Sequence, residues 1–272
     1  MAPGKTGAVL SIEGGGSILL DTAANGNVLG HFSKGDSTVS VQSNATQYAT
    51  GSVQYATESV QYATLSTPAA HTEVLQLKDG STVWLNAASS IRFPTVFTGK
   101  ERVVEVTGEV YIKVAHNAAM PFKVMVKGQE IQDIGTEFNI NAYDNEHVIK
   151  TTLVEGSIRV RSTLNAQRLT LKPGEQSQVD QSGNLKLVPN PDMDETLAWK
   201  NGIFRFDGSG IEEIMKQVER WYGVDIVYRD RITEEFVGKI PRDVPVSKLL
   251  NLLEGTRSVH FIIDGKTITV MK

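Results

Sequence analysis

The sequence predicts a mainly β chain that ends in a small α+β domain, and three observations carry that prediction. First, from about residue 8 to 188 apolar residues recur with period two, as in Phe122-Lys123-Val124-Met125-Val126-Lys127, Phe138-Asn139-Ile140-Asn141-Ala142 and Ile158-Arg159-Val160-Arg161. Successive side chains of an extended strand point to opposite faces, so this alternation describes half-buried strands. Second, Gly99, Gly108 and Asn117 lie nine apart, as do Gly156, Asn165, Gly174 and Gly183. Turn signals at that spacing suit an all-β sandwich, barrel or solenoid. Third, beyond Pro189-Asn190-Pro191-Asp192 the period changes to that of a helix.

Element by element, Gly14-Gly15-Gly16 reads as a hairpin turn between Val9-Leu10-Ser11-Ile12 and Ile18-Leu19-Leu20. A repeat follows: Gln47-Tyr48-Ala49-Thr50, Gln54-Tyr55-Ala56-Thr57 and Gln61-Tyr62-Ala63-Thr64 recur every seven residues. Without a Leu seam this is no coiled coil, and it reads as short strand pieces broken at Gly51 and Glu58-Ser59. Asp79-Gly80, between Val74-Leu75-Gln76-Leu77 and Val83-Trp84-Leu85, is a hairpin signal because both residues tolerate the positive φ of a type I′ turn. The two prolines of 189–192 remove amide donors and favour extended backbone, which suits a linker. Ile211, Ile214, Met215 and Val218 then make one helical stripe, with Ser209 as expected N-cap and Gly223 past the end. Val246, Leu249, Leu250 and Leu253 make a second, with Pro245 at the first helical position and Gly255 closing it. The strands around them give the order β-α-β-β-α-β-β, with Asp264-Gly265 joining the last two. Three units result: a β segment over 1–70 packed on the next domain, a β domain over 71–190 and an α+β domain over 191–272.

Composition narrows function by exclusion. The chain has 272 residues, a net charge of −4 and no cysteine. Two domains of that size bury cores without disulfides or metals. No basic stripe offers phosphates a surface, which argues against nucleic acid. Zero Cys removes disulfides, thiolate zinc sites, iron–sulfur clusters and thiol nucleophiles. No apolar run approaches the ~18 residues of a membrane span, and Met1-Ala2-Pro3-Gly4-Lys5-Thr6-Gly7 lacks the pattern of a secretory signal.

The search for chemistry nominates no catalytic, cofactor or metal site. His31, His71, His116, His147 and His260 are scattered without ligand spacing. Gly14-Gly15-Gly16 lacks the Lys-Ser/Thr of a phosphate loop, and no Gly-x-Ser-x-Gly elbow occurs. One dipeptide stands apart. In Asp133-Ile134-Gly135-Thr136-Glu137-Phe138 a hydroxyl follows the carbonyl of a residue without Cβ. If the backbone is strained there, Thr136 Oγ1 can attack the Gly135 carbonyl and prime self-cleavage. The alternative is a glycine bulge before a strand.

Read together, the strings resemble a family. Leu77-Lys78-Asp79-Gly80-Ser81-Thr82-Val83-Trp84-Leu85-Asn86-Ala87 resembles the opening of the FecR domain, and Arg102-Val103-Val104-Glu105-Val106-Thr107-Gly108-Glu109-Val110-Tyr111-Ile112 its strand pair. Pro121-Phe122-Lys123-Val124, Ile134-Gly135-Thr136-Glu137-Phe138-Asn139-Ile140, Thr151-Thr152-Leu153-Val154-Glu155-Gly156 and Leu171-Lys172-Pro173-Gly174-Glu175-Gln176 follow in the family's order. Residues 202–272 resemble the STN-like module that ends many such proteins, with Trp199-Lys200 and Phe204-Arg205-Phe206 at its start. Ala69-Ala70 and Lys78 depart from the family's commoner "P-R-G" and "L-P-D-G".

The resemblance implies a non-enzymatic regulator. FecR proteins are inner-membrane anti-sigma regulators whose periplasmic part receives a signal from the N-terminal signalling domain of an outer-membrane TonB-dependent transducer. Regulated proteolysis then frees or activates an extracytoplasmic-function sigma factor. The cytoplasmic sigma-binding helices and the membrane span are absent from these residues, so the expected location is the periplasm. Some family members cleave themselves at the Gly-Thr that aligns with Gly135-Thr136. Phe236, Val237, Gly238, Lys239 and Ile240 are the expected partner-binding edge strand. The alternative is a carbohydrate- or siderophore-binding module, built on Trp84, Tyr111 and the repeat tyrosines.

Overall fold

A computed structural model describes residues 1–21, 25–28, 32–35, 38–41, 60–133 and 135–272. Two antiparallel-dominated sheets enclose one apolar core. The first runs in the order Ser17–Leu19, Val9–Ile12, Tyr62–Thr67, Ser89–Pro94, Arg102–Lys113, Phe122–Val126, Gln129–Asp133, Ile158–Ser162 and Arg168–Leu171. The second runs Gly26–Val28, Phe32–Lys34, Val39–Val41, His71–Gln76, Thr82–Leu85, Arg102–Lys113, Glu137–Ala142, Val148–Glu155, Gln176–Asp180 and Leu185–Val188. Between them sit Phe32, Phe93, Phe122, Phe138 and some two dozen aliphatic side chains withdrawn from water. That burial, at roughly 25 cal/mol per Å² of apolar surface, is the main stabilising term.

Arg102–Lys113 belongs to both sheets. Its first half pairs with Ser89–Pro94 and Phe122–Val126, its second with Thr82–Leu85 and Glu137–Ala142. The corner is Gly108, at φ +74. A Cβ there would lie 2.5 Å from Ser89 Oγ and 2.7 Å from the Ala88 carbonyl, so only glycine lets the strand change layers.

The α+β lobe follows the expected order. Ile203–Gly210 pairs antiparallel with Glu235–Pro241. Asp225–Tyr228 runs parallel to Thr267–Met271, which also pairs with His260–Asp264. Helices α1 (Met193–Thr196), α2 (Ile211–Tyr222) and α3 (Val246–Glu254) complete it. The stripes Ile211, Ile214, Met215, Val218 and Val246, Leu249, Leu250, Leu253 are buried.

Three local expectations need correction. The N-cap of α2 is Gly210, because strand pairing continues to Gly210 and Ser209 turns its hydroxyl to Glu195 Oε1 (3.4 Å). Pro245 is the N-cap of α3 and Val246 its first residue, while Gly255 stands past the end of the helix as expected, with right-handed φ of −57. At Asp79-Gly80 only Gly80 has positive φ (+89), so the turn is not type I′. Asp79 is instead held by its own carboxylate, which accepts from the Ser81 amide (3.0 Å) and hydroxyl (2.8 Å). Of the tyrosine repeat, residues 47–59 lie outside the described residues. The third copy enters Tyr62–Thr67, with the Arg92 guanidinium 4.1 Å above the Tyr62 ring.

Candidate functional site

The two lobes meet across a polar junction assembled by turns. Leu85-Asn86-Ala87 leaves the second sheet just where Gly108 bends the neighbouring strand, so Asn86 and Glu109 face each other. Asn86 Nδ2 donates to Glu109 Oε2 (2.8 Å), and Asn139 and Asn141 both donate to Oε1 (3.2 Å each). Glu109 is only 8% exposed, and burial pushes its carboxyl pKa up against the pull of the Asn86 and Asn139 amides and two nearby arginines.

Those arginines come from the other lobe. Arg242 Nη1 donates to Asn86 Oδ1 (3.1 Å), and its guanidinium lies 4.0 Å over the Trp221 ring and 5.0 Å from Phe204. Burial draws its pKa down to about 10, and its Nε finds no partner. Arg220, on α2, stacks 4.0 Å over Tyr143 and donates to Asn145 Oδ1 (3.0 Å) and Glu146 Oε1 (3.1 Å). Tyr143 donates to the Ala87 carbonyl (2.7 Å), and burial raises its pKa. Trp199 Nε1 reaches Asn139 Oδ1 (3.0 Å), so the linker expected at 189–192 leads into a segment anchored on the sandwich.

Backbone adds to the clasp. The Ala70 amide donates to the Arg220 carbonyl (2.8 Å), and Ala70 and Ala88 adopt left-handed φ of 62° and 56° beside the junction. For an L-residue that conformation costs about 1–2 kcal/mol, so contacts on both sides hold it in place. Near the N-terminus Gly4 lies against Trp221, where a Cβ would approach the ring to 2.8 Å, and the Met1 carbonyl accepts from the Val246 amide (3.2 Å).

Beside the junction opens a cleft of about 370 Å³, walled by the second sheet, α2 and the 191–199 segment. Of the aromatic side chains nominated for a ligand site, Trp84, Tyr111 and Tyr62 do not line it, and Tyr48 and Tyr55 lie outside the described residues. Trp84 and Tyr111 pack edge to face at 5.5 Å under Lys200, whose Nζ lies 4.7 and 4.5 Å from their centroids. Among the described residues no group of three His, Cys, Asp or Glu converges as a metal site, and no helix is long and apolar enough to cross a membrane.

The Gly135-Thr136 bond lies elsewhere, where the chain crosses from Gln129–Asp133 of the first sheet to Glu137–Ala142 of the second. Gly135 has φ +150 and is packed so closely that a Cβ would come within 2.6 Å of His116 Nδ1. Thr136 is 4% exposed and its Oγ1 has no hydrogen-bond partner, nor has Asp133 Oδ2. Phe236 and Ile240 of Glu235–Pro241 face the core, whereas Val237 is 78% exposed. Among the described residues that strand pairs only with Ile203–Gly210, leaving its other edge without a strand.

Two family models match the chain: the FecR protein domain over residues 63–159 and the FecR C-terminal domain over 203–270, together more than half its length. The chain belongs to the FecR family. Two crystal structures of a candidate anti-sigma factor from Parabacteroides distasonis, at 1.65 and 2.50 Å, share the fold. Each is 24% identical with a TM-score of 0.70, covering 77% and 78% of this chain and 98% and 99% of their own. No curated protein matches the chain.

On this FecR-family fold the junction draws on both matched segments: Asn86, Glu109 and Asn139 from the first, Arg220 and Arg242 from the second. Sequence reasoning missed these as site residues. Asn86 and Glu109 stood inside the quoted FecR strings and Trp199 at the start of the C-terminal module, but partners 23 to 156 positions apart in sequence leave no spacing signal.

Proposed function

We propose that the chain is the periplasmic, signal-receiving part of an inner-membrane anti-sigma regulator. It docks the N-terminal signalling domain of an outer-membrane TonB-dependent transducer and so controls an extracytoplasmic-function sigma factor bound by a cytoplasmic part of the same protein. The observation that carries this is the pairing of a FecR domain with a FecR C-terminal domain whose Glu235–Pro241 strand keeps one edge unpaired. Likeness to solved candidate anti-sigma factors supports it. The STN-like character of the C-terminal lobe rests on the same strand order. An unpaired edge offers backbone donors and acceptors to a partner strand, and outward side chains select the partner.

Val237→Asp tests it. At 78% exposure the substitution changes folding stability by no more than ~0.5 kcal/mol. A carboxylate in the centre of the docking edge weakens binding of a TonB-dependent transducer's N-terminal signalling domain about tenfold or more by calorimetry. Unchanged affinity removes this edge as the docking surface.

A second reading concerns the chain's own backbone: self-cleavage at Gly135-Thr136. It is favoured by an unpartnered Thr136 hydroxyl buried next to a left-handed glycine. Oγ1 adds to the Gly135 carbonyl carbon, the C–N bond breaks, and the Thr136 amine is freed as an ester forms. Water then hydrolyses the ester to a Gly135 carboxylate and restores the hydroxyl. Incubated protein yields two fragments whose masses sum to the intact chain plus one water, and Thr136→Ala abolishes them. A single intact species in both proteins refutes cleavage.

A further inference from the structure

We propose that the inter-lobe cleft is a binding site for a neutral polyhydroxylated molecule of mono- to disaccharide size, which would bridge the sandwich and α2. This goes beyond transducer docking and does not depend on it, because the cleft and the Glu235–Pro241 edge are built from different residues.

Three properties of the cleft argue for such a ligand. Its volume of about 370 Å³ falls at the lower end of the ~300–1,000 Å³ common for small-molecule sites. Its sheet wall carries Asn141, Thr152, Gln176 and Gln178, side chains that both donate and accept, as sugar hydroxyls do. Hydrogen-bonding capacity is left over: Asn141 Oδ1 and Arg242 Nε are buried without partners. A buried polar atom without a partner costs about 1–3 kcal/mol, so a guest that completes these bonds is favoured.

Charge decides against other guests. Glu146 is already paired with Lys216 and Arg220, and Asp192 with Arg205, leaving Glu109, Glu195 and Glu213 in the lining against Lys150 and Arg242, three carboxylates to two cations. An anionic ferric chelate would meet those carboxylates at close range in a low-dielectric site. A large apolar ligand would strand the amides. A neutral polyol satisfies both walls, and Trp199, in the lining, supplies an apolar surface of the kind on which a sugar's C–H face rests.

Isothermal titration calorimetry tests the site. The probes are glucose, galactose, mannose, N-acetylglucosamine, maltose and cellobiose, each titrated to about 10 mM, well below the concentrations at which sugars stabilise proteins by exclusion. The expected result is saturable binding of at least one probe with discrimination against its epimer. Gln178→Ala on the sandwich wall and Glu213→Ala on the α2 wall should each weaken that binding about fivefold or more. Both positions are side chains on outer walls, and an unchanged Tm of each variant without sugar shows that the fold is intact. No saturable heat from any probe overturns the proposal, and so does binding that neither substitution weakens.

Discussion

Asp79→Ala is expected to destabilise the sandwich by about 3–5 kcal/mol, the cost of leaving one partner of a buried ion pair alone. Arg102 is 1% exposed, yet it is charged. Its Nη1 lies 2.5 Å from Asp79 Oδ2 and 2.8 Å from the Ala115 carbonyl, its Nε donates to the Met120 carbonyl (2.8 Å), and its Nη2 has no partner. The carbonyls orient the guanidinium but carry no net charge to balance it. Removing Asp79 also frees the Leu77–Ser81 loop, because Ser81 receives its orientation from Asp79 and its Oγ in turn accepts from the Ala115 amide (3.0 Å). Arg102→Met should cost less, since the Asp79 carboxylate left behind is 13% exposed and keeps the Ser81 amide and hydroxyl as donors, and the double variant should lose well under the sum of the two single losses. Urea unfolding with unchanged m-values measures all three. A loss below about 1 kcal/mol for Asp79→Ala would mean that water reaches Arg102 and the ion pair is structurally idle.

The same pair shows what the sequence could and could not say. Asp79 was legible as a turn residue, but its actual work is ionic, and its partner lies 23 positions on. Periodicity of two located the sandwich strands because one face of each is buried in a common core, and periodicity of 3.6 located α2 and α3 for the same reason. Boundaries failed where a second interaction competed with a local preference: Ser209 is a good N-cap residue, but pairing with Phe236 kept it extended. Strand order was out of reach. Nothing local announces that Arg102–Lys113 serves two sheets, although Gly108 marks the place where it turns. The junction was least legible, because Asn86, Glu109 and Arg242 have ordinary neighbours in sequence and acquire a role only when the lobes dock. Val237, by contrast, was readable: an apolar residue in a strand whose neighbours Phe236 and Ile240 satisfy the core has nowhere to go but outward.

Arg242→Met should cost about 2–4 kcal/mol and should also change how stability depends on pH. Arg242 and Arg220 are the cations that favour ionised Glu109, and burial of the carboxylate outweighs them, so the folded-state pKa stands above the unfolded value. The folded chain therefore holds this proton more tightly than the unfolded chain. Stability from Glu109 is fully present below the unfolded pKa of about 4.3 and is lost as pH rises through the raised folded value, with no further change above it. Without Arg242 the ionised form loses one of its two compensating charges, the folded pKa climbs further, and the loss on raising pH grows. Glu109→Gln has no proton to lose there and should show none of this component. The other titrating groups are common to all three proteins, so the informative quantity is the difference from Glu109→Gln at each pH. That difference should widen as pH rises from about 4.5, and should go on widening to a higher pH for Arg242→Met than for the parent chain. Parallel curves for all three would show that Glu109 is hydrated in the folded protein, and that the lobes are clasped by stacking on Trp221 and Tyr143 instead of by a desolvated charge network.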